Sequence, residues 1–278
     1  MDRFRQFAWV AALTVGLVVQ AHANGKYVEK SDETKQLFNG KDLTGWYTFI
    51  RDRGRDADPK SVFTVQDGMI RISGEEWGCI TTNEEFENYH LITEFKWGQI
   101  AHPPRENKAR DSGILVHSQG DDGAYSGIWM HSIEIQLIEG GTGDLLVVGD
   151  KTENFQLTAH VAAEKDNGTW VYKQDGQPQT ILGGRINWWG RDPDWKDEIN
   201  FRGKQDVEFP VGEWNRLECI VVDGTITVVL NGVKVNECFN VKPTKGRIQV
   251  QSEAAEIFLR KVELVPIELT DPEGNGGE

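Results

Sequence analysis

Along most of the chain, apolar and polar residues alternate. FTVQDGMIRIS (63–73), YHLITEFKW (89–97), GILVHS (113–118), SIEIQLIE (132–139), FQLTAHVAAE (155–164), GRIQVQS (246–252) and EIFLRKVELVP (256–266) share this pattern, and all are rich in Val, Ile, Thr or aromatic residues. Successive side chains of an extended chain point to opposite faces, so a period of two predicts strands with one buried face. No run of ten residues carries a helical stripe. Many short strands without helices predict an all-β fold, a two-sheet antiparallel β-sandwich of jelly-roll type.

The segment 216–239, RLECIVVDGTITVVLNGVKVNECF, is the most explicit. Asp223-Gly224 and Asn231-Gly232 are dipeptides of tight two-residue hairpin turns. They predict three consecutive antiparallel strands in which Val222 faces Thr225 and Leu230 faces Val233. Cys219 then faces Val228, and Cys238 faces Thr225. The two sulfurs are held too far apart for a disulfide, which needs Cα atoms within about 7 Å. The chain has three Cys, so at least one is unpaired in any case.

The pattern breaks in three places. IAHPPRENKARD (100–111) and GGRINWWGRDPDWKDEINFRGKQD (183–206) read as long irregular insertions, a class of loop that is often functional, and 51–60 as a charged surface loop. Residues 24–36 read as a polar arm, 37–267 as one jelly-roll domain and 268–278 as a frayed tail.

The N-terminus sets the expected compartment. Arg3 and Arg5 precede an uncharged, mostly apolar run from Ala8 to Gln20, and Ala21-His22-Ala23 has the small-residue pattern of a cleavage site. Residues 1–23 are therefore expected to be a signal peptide, and the mature protein periplasmic or secreted. No Cys stands at the cleavage point to carry a lipid anchor, and no later stretch is apolar enough to span a membrane. The net charge is −14, one unit more acidic once 1–23 are removed. Such a surface repels phosphate backbones and anionic lipid, which excludes nucleic acid and membrane as partners and leaves neutral sugars open.

Three groups of residues carry candidate chemistry. On the strand Ser132 to Glu139, Ile133, Ile135 and Leu137 should face the core, which puts Glu134 and Gln136 on the outer face. A β-bulge near Ile138 would bring Glu139 to the same face, making a carboxyl pair suited to acid/base or nucleophilic work on a glycoside. Next, His117 at the end of GILVH and His131 ahead of Glu134 offer imidazoles, and His117 with Glu134 makes a tentative site for a divalent metal. Last, Tyr125, Trp129, Trp188, Trp189 and Trp195 sit in polar loops, where aromatic planes can stack on the C–H faces of sugars. Nucleophile elbows, phosphate loops, dinucleotide fingerprints and CxxC pairs are absent.

Several blocks carry a family resemblance. LFNGKDLTGW (37–46), VQDGMIRI (65–72), Phe86 to Phe95 with Ser112-Gly113-Ile114, Ser132 to Gln136 with Gly143-Asp144, GEWNRLECIVVDGTITVVLN (212–231) and 246–265 resemble the 3-keto-disaccharide hydrolase domain family. The resemblance spans about 35–267. It implies a concanavalin-like jelly roll and action on sugars oxidised at C3. A C3 ketone acidifies the C2 proton, so a base can remove it, the C1 substituent can leave and water can add. A divalent cation on the C3 oxygen would stabilise the enolate. Carried onto this chain, Glu134 is base or metal ligand, with His117 second for either role. Gln136 orients substrate, Glu139 serves as acid if the bulge forms, and Arg110, Asp111 and Asp144 rim the pocket. Two other readings stay open. One is a non-catalytic carbohydrate-binding module. The other is a retaining endoglycanase using Glu134 and Glu139, because E-x-Q-x-x-E resembles the E-x-D-x-x-E of laminarinase-like enzymes, with Gln136 in place of the Asp.

Overall fold

The computed structural model describes residues 19–22 and 25–270. The export segment expected at 1–23 lies outside the described residues apart from 19–22, and so does the tail beyond 270. Two sheets face one another, and no α-helix occurs among the described residues. The larger sheet is built on its two longest strands, Tyr89–Ala101 and Ala255–Thr270, which pair antiparallel. Asn215–Val222, Thr225–Leu230, Val233–Lys242, Gln156–Val161 and Gln177–Ile181 extend it on one side. The arm joins on the other: Gly25–Glu29 and Lys35–Gln36 both pair with Ala255–Thr270. That strand continues to Thr270, so 268–270 are paired rather than frayed.

The smaller sheet carries the functional face. Its order is Trp170–Val171, Gly184–Asn187, Leu145–Val148, His131–Ile138, Asp111–Gln119, Arg247–Ser252, Gly78–Thr82, Trp46–Ile50 and Gly54–Arg55. Ile114, Val116, Ile133, Ile135, Leu137, Ile186, Ile248 and Val250 point inward and meet Leu217, Cys219, Val221, Ile226 and Val228 of the larger sheet in one core. Each such side chain contributes roughly 1.5–3 kcal/mol when fully buried, so the parity of every strand is strongly held. The intervening residues must face outward, and they do so with polar groups: Asp111, Glu134, Gln136, Arg185, Gln249 and Gln251.

Both hairpins form at the turns the dipeptides specify, with positive φ at Asp223, Gly224, Asn231 and Gly232. Val222 pairs with Thr225, Cys219 with Val228 and Leu230 with Val233, as expected. Cys238 pairs with Ile226 rather than Thr225, because a bulge between Val228 and Val229 shifts the register by one. All three Cys are buried and unbridged.

Both insertions are shorter than the pattern suggested. Tyr89–Ala101 runs two residues into the first, and Asp111, the last residue assigned to it, begins a strand. Gly184–Asn187, at the start of the second, is a strand of the smaller sheet.

Candidate active site

The middle of the smaller sheet holds a cavity of about 190 Å³ lined by Asp111, Glu134, Gln136, Arg185, Gln251 and Glu253, with Tyr125 and Trp129 as an aromatic wall. Five neighbouring strands line it, from Gly184–Asn187 with Arg185 through Leu145–Val148 to Arg247–Ser252. Glu134 and Gln136 come from His131–Ile138, and Asp111 opens the next strand. Gln251 lies on Arg247–Ser252, and Glu253 just beyond it is bridged to Asp111 through the backbone. Gly113 lies between the Glu134 and Gln251 strands. A Cβ there would collide with the Glu134 carboxylate and the Gln251 amide, so only glycine leaves room for both.

The polar groups are tightly connected. Gln136 Nε2 donates to Asp111 Oδ1 at 2.5 Å and to the Ser112 carbonyl at 3.1 Å, and its Oε1 accepts from Arg185 Nη2 at 3.2 Å. Arg105 Nη2 lies 3.1 Å from Asp111 Oδ2. Asp144, fully buried, accepts from Trp188 N at 2.8 Å, Arg191 Nη1 at 2.9 Å and Arg185 Nη1 at 3.4 Å. It holds Arg185 at the cavity edge instead of meeting substrate. Both side-chain polar atoms of Gln251 are buried without a partner. Such atoms cost roughly 1–3 kcal/mol each unless a ligand or water satisfies them.

The electrostatics follow from bringing two buried carboxyls, Asp111 and Glu134, against the half-buried Glu253. Burial, and then the Asp111 carboxylate, push Glu134 up to about 8 against the pull of Arg185. Burial raises Asp111 against the Arg105 and Arg185 cations, and burial with the Asp111 and Glu134 charges lifts Glu253 well above the carboxyl range. Like charges in a low-dielectric site cannot all ionise, so the cavity retains protons at neutral pH. The result is a set of acids and bases poised for proton transfer, beside a guanidinium able to neutralise an oxyanion.

The structure brings together Glu134, Gln136, Asp111 and Trp129 from the expected set. It does not bring in His117. A bulge between Val116 and Gln119, with His117 at φ 55°, turns the imidazole away from the outer face. Its Nδ1 is 2.7 Å from the Pro243 carbonyl, and its ring packs edge-on against Tyr89 of the larger sheet. Burial lowers it to about 4, so it is a neutral core histidine. The tentative metal pair of Glu134 and His117 is therefore not formed. Among the described residues, no group of three or more His, Cys, Asp or Glu side chains is arranged to hold a metal ion.

Glu139 is also elsewhere. It accepts from Arg110 Nη1 at 2.8 Å, Arg110 N at 2.9 Å and Asn200 N at 3.0 Å, facing a different cavity from Glu134. The strand ends at Ile138 without the bulge that would have returned Glu139 to the outer face. Arg110 is consumed by this pair and by Asn200, so it anchors loops rather than rimming the site. Trp188 is buried in the main core, and Trp189 donates to the Lys234 carbonyl at 2.9 Å, so neither lines the carboxyl cavity.

Arg105, Arg185, Gln251 and Glu253 were not singled out from the sequence. Signals for three of them existed. The alternation of GRIQVQS continues one step through Gln251 to Glu253, and R-I-N at 185–187 alternates about an apolar Ile186. Arg105 lies in an insertion, where no periodicity points to its partners.

The model of a family described as the 3-keto-alpha-glucoside-1,2-lyase-like domain matches residues 33–265. No curated protein matches the chain. Among solved structures, it is similar to a candidate glycosyl hydrolase of Parabacteroides distasonis ATCC 8503, with 20% identity over 87% of this chain and 96% of that one at a TM-score of 0.50. A second such protein from the same organism is 19% identical over 86% of this chain and 100% of that one, with a TM-score of 0.47. A carbohydrate-binding module, CBM66 of Bacillus subtilis, is 10% identical over 81% of this chain and 95% of that one, with a TM-score of 0.40. The matched span takes in the whole smaller sheet, most of the larger one and every residue of the carboxyl cavity, and the chain is a carbohydrate-active member of the 3-keto-alpha-glucoside-1,2-lyase-like domain family.

Proposed function

We propose that the protein cleaves 3-keto-glycosides by elimination across C1 and C2, followed by addition of water. The observation that carries this reading is the meeting of two buried carboxyls, Asp111 and Glu134, and the half-buried Glu253 in one cavity beside Arg185, all three with raised pKa values. A binding module has no need to bury such groups together, whereas a proton-transfer site does.

Glu134 acts as base. It takes the C2 proton, and the C–H electron pair forms the C2–C3 enolate. Arg185 neutralises the charge developing on the C3 oxygen, and Gln136, whose amide is fixed by Asp111 and Ser112, keeps Arg185 in place. As C3=O re-forms, a C1=C2 double bond forms and the C1–O bond breaks. Glu253, whose carboxyl holds its proton, gives it to the departing oxygen. Water then adds at C1 and gives a proton to Glu253, while Glu134, whose proton exchanges with solvent, protonates C2, which completes hydrolysis and restores both carboxyls. The Tyr125–Trp129 wall, with ring planes 24° apart, takes the apolar face of the oxidised ring.

Incubation of a disaccharide and its 3-keto derivative in deuterated water tests this. Cleavage of the keto form alone, deuterium at C2 of the product and loss of both in Glu134→Gln are expected. Cleavage of the unoxidised sugar, or retention of the C2 hydrogen, would sink the mechanism. The basic, apolar and small-residue order of residues 1–23 supports an exported protein with a mature N-terminus at Asn24. Mass spectrometry of protein recovered from a periplasmic extract or the medium checks that, and an intact Met1 overturns it.

A further inference from the structure

Among the polar side chains that line the carboxyl cavity, Gln251 has no part in the elimination scheme. It stands on Arg247–Ser252, across Gly113 from Glu134. Val250 faces the core, so strand parity turns Gln251 to the outer face. A Cβ on Gly113 would lie 2.4 Å from Glu134 Oε1 and 2.5 Å from Gln251 Oε1, so carboxyl and amide converge over the same glycine.

The other outward amides nearby are engaged. Gln136 is held by Asp111, Ser112 and Arg185. Gln249 donates to Thr81 Oγ1 at 2.9 Å and accepts from the Met130 N–H at 3.1 Å. Gln251 differs. It is 1% exposed, and neither its Oε1 nor its Nε2 has a hydrogen-bond partner. It stands near enough to Glu134 to favour the ionised carboxyl, yet the two do not reach hydrogen-bond geometry. An amide buried this deeply is unfavourable at both atoms unless a ligand supplies a donor and an acceptor. Two adjacent oxygens of a sugar supply both, because a hydroxyl donates and its neighbour accepts. Position decides which two. In the elimination reading Glu134 takes the C2 proton and Arg185 holds the C3 oxygen, and Arg185 and Gln251 stand on opposite sides of Glu134 across the sheet. A group beside Glu134 and away from Arg185 meets the C2 oxygen and the anomeric oxygen next to it.

We propose that Gln251 is a specificity-determining residue that binds the C2 hydroxyl of the oxidised ring. Its Oε1 accepts the hydroxyl hydrogen, and its Nε2 donates to the anomeric oxygen. The assignment rests on the elimination reading. Its consequence is selection for sugars with a free C2 hydroxyl over 2-deoxy sugars, which carry the same C2–H acidified by the ketone. Holding the C2 hydroxyl also keeps the C2–H bond directed at Glu134.

The test compares kcat/KM on 4-nitrophenyl 3-keto-glucoside and on its 2-deoxy analogue for the wild type, Gln251→Leu and Gln251→Met. The ratio of hydroxy to deoxy substrate is expected to fall about tenfold in both variants, the size of one lost buried hydrogen bond. The intrinsic effect of the hydroxyl on C2–H acidity is the same for every enzyme form, and a change in fold or in Glu134 ionisation acts on both substrates alike, so neither moves the comparison. An unchanged ratio in both variants overturns the assignment. If the wild type cleaves neither substrate, the elimination reading fails on its own. Calorimetric binding of unoxidised methyl glucoside and its 2-deoxy analogue to wild type and Gln251→Met then decides the role of Gln251. A preference of about tenfold for the hydroxy sugar that disappears in the variant supports it, and equal or absent binding of the two sugars to the wild type overturns it.

Discussion

At Gly113 the absence of a side chain lets Glu134 and Gln251 converge from strands on either side. The carboxyl so placed is pushed up to about 8 by burial and by Asp111. A base must be deprotonated to act, so kcat/KM on a 3-keto disaccharide should rise with pH and level off above about 8. A profile that falls over the same range would make Glu134 an acid and exchange its role with Glu253. The neighbouring imidazole does not enter this titration, because His117 faces the core and burial lowers it to about 4.

At the scale of elements, the two insertions act on the site by holding each other. Arg105, from the first, contacts Asp111 of the cavity at 3.1 Å, its own loop at the Ala109 carbonyl and Asp197 of the Trp-rich loop at 3.0 Å. Backbone N–H of Ile199 adds a bond to the Asn107 carbonyl at 3.2 Å. Arg105 has only 15% of its side chain exposed, and removing one partner of a buried ion pair costs about 3 kcal/mol. Arg105→Met should therefore lower Tm by roughly 6–12 °C and lift Asp111 further out of the ionised range. A calorimetric scan with an unchanged Tm would show the loops to be independent.

For the whole molecule, proton uptake on folding prevails at neutral to alkaline pH, whereas His117, lowered to about 4 by burial, releases a proton on folding and adds stability as pH rises to about 6.5. Glu134 and Glu208 are raised to about 8, chiefly by burial. His90 is raised to about 9: burial opposes its charge, but hydrogen bonds to Glu218 and to Glu29 of the arm outweigh that. In each case the native state binds a proton that the unfolded chain has released. The corresponding stability is complete below the unfolded value, near 4.3 for Glu and 6.5 for His, and is lost as pH rises through 8 to 9. Tm should thus fall from about pH 6.5 to pH 9, and Glu134→Gln should flatten that slope. A Tm that climbs over that range would contradict the buried, protonated carboxyls. No helix among the described residues is long and apolar enough to cross a membrane.

The sandwich, the two hairpins and the outward placement of Glu134 and Gln136 were legible in the chain alone, because these follow from local rules. A period of two selects a face, and Asp-Gly or Asn-Gly selects a turn. The family, too, was legible in LFNGKDLTGW and the segment 212–231. What local rules cannot specify is where an alternation slips. One bulge moved Cys238 from Thr225 to Ile226, and another turned His117 from the outer face to the core. Those positions depend on the folded sheets, since a bulge is set by packing on both faces of a sheet at once. The tertiary structure also decided which charges meet. Glu139 went to Arg110, and Asp111 and Glu134 met Glu253 and Arg185 from distant parts of the chain. Burial in a shared cavity, and the proton affinity that burial creates, arise only when strands far apart in sequence lie side by side.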